Sequence, residues 1–262
     1  MLPNAAHAVA PGARQAQDAR YAVYFAPRPD SAWWRFGSAW LGRDAVADAP
    51  VARPAGIAMD AAYVTRITTE PRRYGFHATL KAPFHLNPEY TARDVYVQAA
   101  HLASVLASTC VAATLPRVTL RVIDGFVALG YDREQSGAAA VHAIAAQCVL
   151  CFDNLRARPS ASELARRLAA ALSPRQTSLL QQRGYPFVLD EFRFHFTLTN
   201  RLRPEEQQPV IQVLSPVIDA LNTRPLLFDA LSIYMQPAPD APFVVTRRYG
   251  FDGSVEIYRD DA

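Results

Sequence analysis

A chain of 262 residues, half of them hydrophobic and with an ordinary share of charge, is long enough to bury a full core and is not a disordered polymer. The net charge of +3 comes in short pairs such as Arg72-Arg73, Arg166-Arg167 and Arg247-Arg248, which excludes the concentrated basic stripe of a protein that wraps long nucleic acid and favours small anionic ligands. Three cysteines, Cys110, Cys148 and Cys151, cannot make a regular disulfide framework and fit a reducing, cytoplasmic compartment; no apolar run is long enough to span a bilayer.

Residues 1–19 lack the apolar stretch of a signal peptide and read as a flexible tail before a single domain over 20–262. RYAVYFAP (20–27) is aromatic and β-branched, and stops at proline, as a strand does. The tryptophan-rich segment that follows reads as a short helix and loop over the core, residues 44–56 as connection, and 57–68 as one or two strands. GFHATLKAPF is the next strand. From Thr91 a helical period runs to residue 109, followed by VTLRVI and FVALGY joined through Asp124-Gly125, a dipeptide suited to a tight hairpin turn. Residues 138–155 and 160–172 read as helices, and Ser173-Pro174 opens a third through Gln182. FRFHFTLTNRL is a strand; the helix at 204–221 contains prolines expected to kink or split it; 225–236, 243–251 and 254–259 supply further strands.

Two of these strands share a pattern. YGFHATLK (74–81) and FRFHFTLT (192–199) both contain Phe-His-x-Thr-Leu, with the histidines 118 residues apart. Strand alternation sends His77, Thr79 and Lys81 to one face, and Arg193, His195, Thr197 and Thr199 likewise. On opposite walls of a groove, two imidazoles and two hydroxyls would converge. Such a set suits a phosphate ester: imidazoles exchange protons near neutral pH, hydroxyls donate to phosphate oxygens, and a cation offsets charge. Lys81 is the only lysine among 27 basic residues, which singles it out as a phosphate-facing cation. Tyr74 is a candidate for the ligand rim, with Tyr185 and Arg43 weaker ones.

The paired FHATL and FHFTL motifs resemble the 2H phosphoesterase superfamily, the LigT-like fold. Within it, RYAVYFAP, WWRFGSAWLGRD, RRYGFHATLKAPF and GYPFVLDEFRFHFTLTNRL resemble the DUF1045 family of phosphonate-metabolism proteins. The resemblance implies an α+β fold of two pseudo-symmetric lobes, with antiparallel sheets flanking a central groove. It also implies a hydrolase, a metal-independent phosphodiesterase with His77, Thr79, His195 and Thr197 as catalytic residues. The expected ligand is a cyclic phosphate or related phosphorylated ribose or nucleotide, and no cofactor is called for. The competing reading is a non-catalytic phosphate- or RNA-binding module that keeps the groove; a small phosphorylated ligand suits the mild charge better than RNA.

Other features have plainer readings. Cys148-Val-Leu-Cys151 lies in an apolar helical pattern without a second pair for zinc and reads as core. Trp33, Trp34 and Trp40 read as core rather than a stacking platform. No G-x-S-x-G, P-loop or G-x-G-x-x-G segment is present. A second RRYGF at 247–251 lacks the histidine motif and is either coincidence or another arginine cluster near the ligand.

Overall fold

The computed structural model describes residues 18–54, 56–109 and 113–259; most of the expected N-terminal tail and Cys110 lie outside the described residues. In chain order the strands are β1 (Arg20–Phe25), β2 (Arg43–Asp44), β3 (Ala49–Pro50), β4 (Ala78–His85), β5 (Ala113–Thr114), β6 (Thr119–Ile123), β7 (Phe126–Gly130), β8 (His195–Arg201), β9 (Leu227–Phe228), β10 (Ala230–Gln236), β11 (Val244–Gly250) and β12 (Val255–Ile257). The helices are α1 (Ala32–Leu41), α2 (Ala61–Ile67), α3 (Thr69–Tyr74), α4 (Ala92–Thr109), α5 (Ala138–Cys151), α6 (Ala161–Leu168), α7 (Pro174–Arg183) and α8 (Pro204–Leu221).

Local chemistry accounts for the element ends. Ser31 accepts the Trp34 amide and Gly42, at φ 75°, closes α1. Ser173 and Gln176 form a capping box around Pro174 at the start of α7. Asp124 and Gly125 both take positive φ, which gives the β6–β7 hairpin the twist its strands need. The strand expected within 57–68 is instead helix α2: the Asp60 carboxylate accepts the Tyr63 amide and starts a helix that the β-branched residues alone do not announce. Helix α8 runs unbroken through Pro209 and Pro216. The two prolines stand seven residues apart on the exposed side, where water can satisfy the carbonyls left without a donor.

The strands expected in two separate sheets lie in one antiparallel sheet of eight, in the order β12-β11-β10-β1-β4-β8-β7-β6. The two histidine strands are its neighbouring middle members, joined by a single register pair, Ala78 opposite Phe196. One face of the sheet carries the main core, where Phe25, Phe76 and Phe196 pack with apolar residues of α4, α5 and α8. Phe76 stacks on Phe196, ring centres 4.6 Å apart and 13° from parallel, so an aromatic pair underlies the junction of β4 and β8. Helix α1 closes the same region. A Cβ at Gly37 would fall 2.0 Å from the Phe76 ring, so only glycine lets the helix approach, and the Trp40 indole donates to the Leu198 carbonyl of β8 at 2.8 Å.

The three tryptophans are core residues, and Cys148 and Cys151 are free thiols, Cys148 fully buried. Among the described residues no helix is long and apolar enough to cross a membrane.

Candidate functional site: a groove floored by two histidine strands

The other face of the sheet, at the β1–β4–β8 centre, is the floor of a groove of about 1160 Å³. Because Ala78 faces Phe196 in an antiparallel pair, His77 comes to lie across from Thr197 and Thr79 across from His195, all four on the face opposite the aromatic pair. The groove is lined by His77, Thr79, His195 and Thr197 together. They therefore meet on one floor, on adjacent strands rather than on facing walls.

Each histidine is fixed in the same way. His77 Nδ1 donates to the Gly75 carbonyl at 2.9 Å, and His195 Nδ1 donates to the Arg193 carbonyl at 2.8 Å, in both cases two residues back along the chain. With Nδ1 carrying the proton, each Nε2 is left as the acceptor. Thr79 Oγ1 donates to His77 Nε2 at 3.2 Å. The turn before His77 needs Gly75: its φ is 77°, and a Cβ there would lie 2.6 Å from Ala45 Cβ.

The surroundings tune both imidazoles downward. Burial pushes the His77 pKa down to about 4; the Gly75 carbonyl pulls against that shift and the nearby His195 adds to it. Tyr24 stacks on the His77 ring at 3.7 Å and 19°. His195 is also lowered by burial, opposed by the Arg193 carbonyl, with the Arg193 charge lowering it and Asp124 raising it. Both rings are thus neutral at pH 7, and each presents a lone pair.

The remaining expected residues divide. Tyr74 and Arg193 line the groove. Lys81 does not reach it. Between the pairs Tyr24 opposite Thr79 and Val23 opposite Lys81 the register slips by one residue, so a bulge turns Lys81 to the face of Val23. There it is 3% exposed, ion-paired at 3.0 Å with Asp153, whose carboxylate also receives Arg156 and Arg183 at 3.1 Å each. The second strand breaks its register at the equivalent place, between the pairs that join Thr197 to Ala128 and Arg201 to Phe126. Thr199, 1% exposed, borders the groove, but its hydroxyl accepts the Val127 amide at 2.9 Å and donates to the Asn200 carbonyl at 2.8 Å. Strand parity fails at Lys81, where the bulge turns the side chain over, and holds at Thr199, whose hydroxyl is nevertheless taken by backbone groups.

Arg43 is buried against Asp48 and the Phe243 carbonyl, away from the groove. Arg248 of the second RRYGF is buried between Asp229 and Glu256, so that segment supplies no ligand-facing arginine there. Tyr185 does line the groove, as do Arg20, Tyr24, Asp124, Arg166 and Arg167, none of which belongs to the His-x-Thr motif. For Arg20 and Tyr24 the signal was available in the alternation of RYAVYF, which puts them on one face with Ala22. Among the described residues no cluster of three or more metal-ligating side chains occurs.

Comparison with known proteins gives the chain relatives. A ribose 1,5-bisphosphate phosphokinase PhnN from Janthinobacterium sp. (strain Marseille) is 36% identical over 244 residues, covering 90% of this chain and 52% of the relative. A protein of the same name from Laribacter hongkongensis (strain HLHK9) is 36% identical over 228 residues, covering 87% and 51%. The chain spans about half the length of the curated relatives it matches. Their names describe a phosphoryl-transferring kinase, and this overturns the expectation of a hydrolase of the phosphodiesterase type. The family model for DUF1045, a protein of unknown function, matches residues 79–244, more than half of the chain and including the second motif in full. The chain belongs to the DUF1045 family.

Proposed function

We propose that the groove binds a phosphorylated ribose, with its phosphate seated on the floor between His77, Thr79, His195 and Thr197. The observation that carries this reading is the crossing at Ala78 and Phe196, which gathers two Nε2 atoms and two threonine hydroxyls on one face. Arg20, Arg166, Arg193 and Arg201 line the same space against Glu70 and Asp124, an excess of positive charge suited to a phosphate ester. The names of the relatives supply the sugar, and a phosphonate-metabolism setting accords with them.

The duplicated Phe-His-x-Thr-Leu strands, meeting about a local two-fold, support kinship with the 2H architecture as a phosphate-binding scaffold. The single lysine follows Leu80 in a strand and not a glycine-rich loop, so this chain is assigned the sugar phosphate rather than a nucleotide triphosphate cradle. Binding is linked to protons. Both imidazoles are neutral at pH 7, and a phosphate beside them favours their protonated forms, so affinity rises as pH falls toward the lowered range in which the rings take up protons.

The test is calorimetric titration with ribose 5-phosphate and ribose 1,5-bisphosphate. His77→Ala, His195→Ala and Thr197→Val are each expected to weaken binding about tenfold or more, equivalent to roughly 1.4 kcal/mol. Undiminished affinity in both histidine variants sinks the assignment.

A further inference from the structure

A second cavity, of about 730 Å³, lies between β6, the start of α5 and the segment that leads into β8. Its lining includes Tyr131, His142, Arg133 and Arg193. Tyr131 is 7% exposed, and its hydroxyl has no partner among the described residues; His142 Nδ1, also buried, has none among them either. The two rings stand 6.3 Å apart. Neither is loose, since Tyr131 stacks on Phe194 at 4.9 Å and His142 meets Phe192 edge-on at 5.0 Å. Two buried polar atoms without partners are costly features for a fold to retain unless something supplies their hydrogen bonds.

The charges around them point to the sign of that partner. The acids of the lining are already engaged: Asp190 is held by Arg175 through bonds of 2.8 and 2.5 Å, and Glu191 accepts from Gln176 at 2.9 Å. Arg121 is likewise spent on Asp132 at 2.8 Å. Arg133 uses only Nη1, on the Asp190 carbonyl at 2.7 Å, and the Arg193 side chain makes no hydrogen bond or ion pair with any described residue. What remains available is donor-rich: two guanidinium groups, a phenol and an imidazole that burial and the Arg133 charge keep neutral.

We propose that this cavity is a binding site for a small oxyanion, a phosphate or carboxylate group, held by Arg133 and Arg193 at its edge and by the Tyr131 hydroxyl and the His142 imidazole within. Nothing in the groove reading requires it. The two sites nevertheless share a residue: Arg193 lines both cavities, and its carbonyl is the acceptor that fixes His195 Nδ1. An anion that draws the Arg193 guanidinium into the second cavity changes the charge beside His195, so occupancy of one site alters affinity at the other, reciprocally.

The experiment follows the His142 ring nitrogens by NMR in the full chain, titrated with inorganic phosphate and, separately, with acetate. It is run in the wild type and in His77→Ala, which disables the groove and leaves the second cavity intact. The expected result is a saturable His142 shift in both proteins, weakened about tenfold by Arg133→Ala and by Tyr131→Phe, the latter keeping the stacked ring. A stronger response to one anion identifies the preferred group. The proposal is overturned by an unsaturable or absent His142 response, or by curves in the Arg133 and Tyr131 variants that match the wild-type curve. The His142 response persists in His77→Ala whether or not ribose 5-phosphate binds the groove, so the two readings fail separately.

Discussion

The two histidine strands are near copies in sequence and in backbone, yet their settings differ. His77 lies beneath Tyr24 with Tyr74 and Tyr234 nearby, an aromatic wall, and its burial there disfavours the charged form. His195 stands among Arg193, Asp124 and Phe126, where a cation and an anion act on it in opposite senses. Thr79 is already bonded to its own histidine, whereas the Thr197 hydroxyl makes no bond to another described residue. At the fifth position one copy buries a charge and the other a hydroxyl bound to backbone. Duplication thus supplies matched geometry, and the neighbours, contributed by unrelated segments, supply unequal electrostatics.

The largest expected effect lies at the fifth position of the first copy. Among the described residues Asp153 is the only carboxylate bonded to Lys81, and it also accepts Arg156 and Arg183. Burial pushes the Lys81 pKa down and Asp153 holds it up; burial pushes Asp153 up, but Lys81 and Arg156 bring it below the usual carboxylate range. Asp153→Asn leaves a buried cation without its anion and is expected to cost about 3–5 kcal/mol in denaturant unfolding. Part of that loss is expected to return at alkaline pH, as the ammonium gives up its proton. A cost indistinguishable from that of an exposed substitution would remove Lys81 from the architecture of the strand.

The equivalent change in the second copy is smaller. Thr199→Val removes the acceptor of the Val127 amide within the register break and is expected to cost about 1–3 kcal/mol, measured in the same way. An equal or greater loss than in Asp153→Asn would erase the asymmetry at this position.

The gentlest probe is acid. The folded-state pKa of His77 is depressed to about 4 from an ordinary value of 6.5, so between those limits the unfolded chain binds more protons than the folded one. Stability therefore is full above about pH 6.5 and declines as pH falls toward 4. His77→Gln is expected to flatten this part of the profile more than His195→Gln. Equal flattening would show that the aromatic wall does not distinguish the two rings.

Much of the architecture could be read from the chain. The duplicated motif, the Asp124-Gly125 hairpin, the helix following Thr91 and the core role of the tryptophans all depend on short-range patterns, and the structure bears them out. The placement of Lys81 could not be read, because alternation holds only while register holds, and a bulge is set by how neighbouring strands fit. Helix α2 was masked by β-branched residues whose preference its Asp60 cap overrides. The merging of the two histidine strands and their neighbours into one sheet of eight depends on pairings across more than a hundred residues, which no local pattern encodes. Tyr24, beside His77, belongs to the same class: its partner lies 53 positions away in the chain.

The lone register pair between β4 and β8 has a mechanical meaning. Elsewhere in the sheet a ladder of amide bonds fixes how far one strand sits from the next, but at the centre the backbone is tied at Ala78 and Phe196 alone. Behind this junction stands the ring pair Phe76 on Phe196, against which Gly37 lets helix α1 close in from one side. The width that the proposed phosphate would meet is gauged by the thickness of two stacked benzene rings on the far side of the sheet.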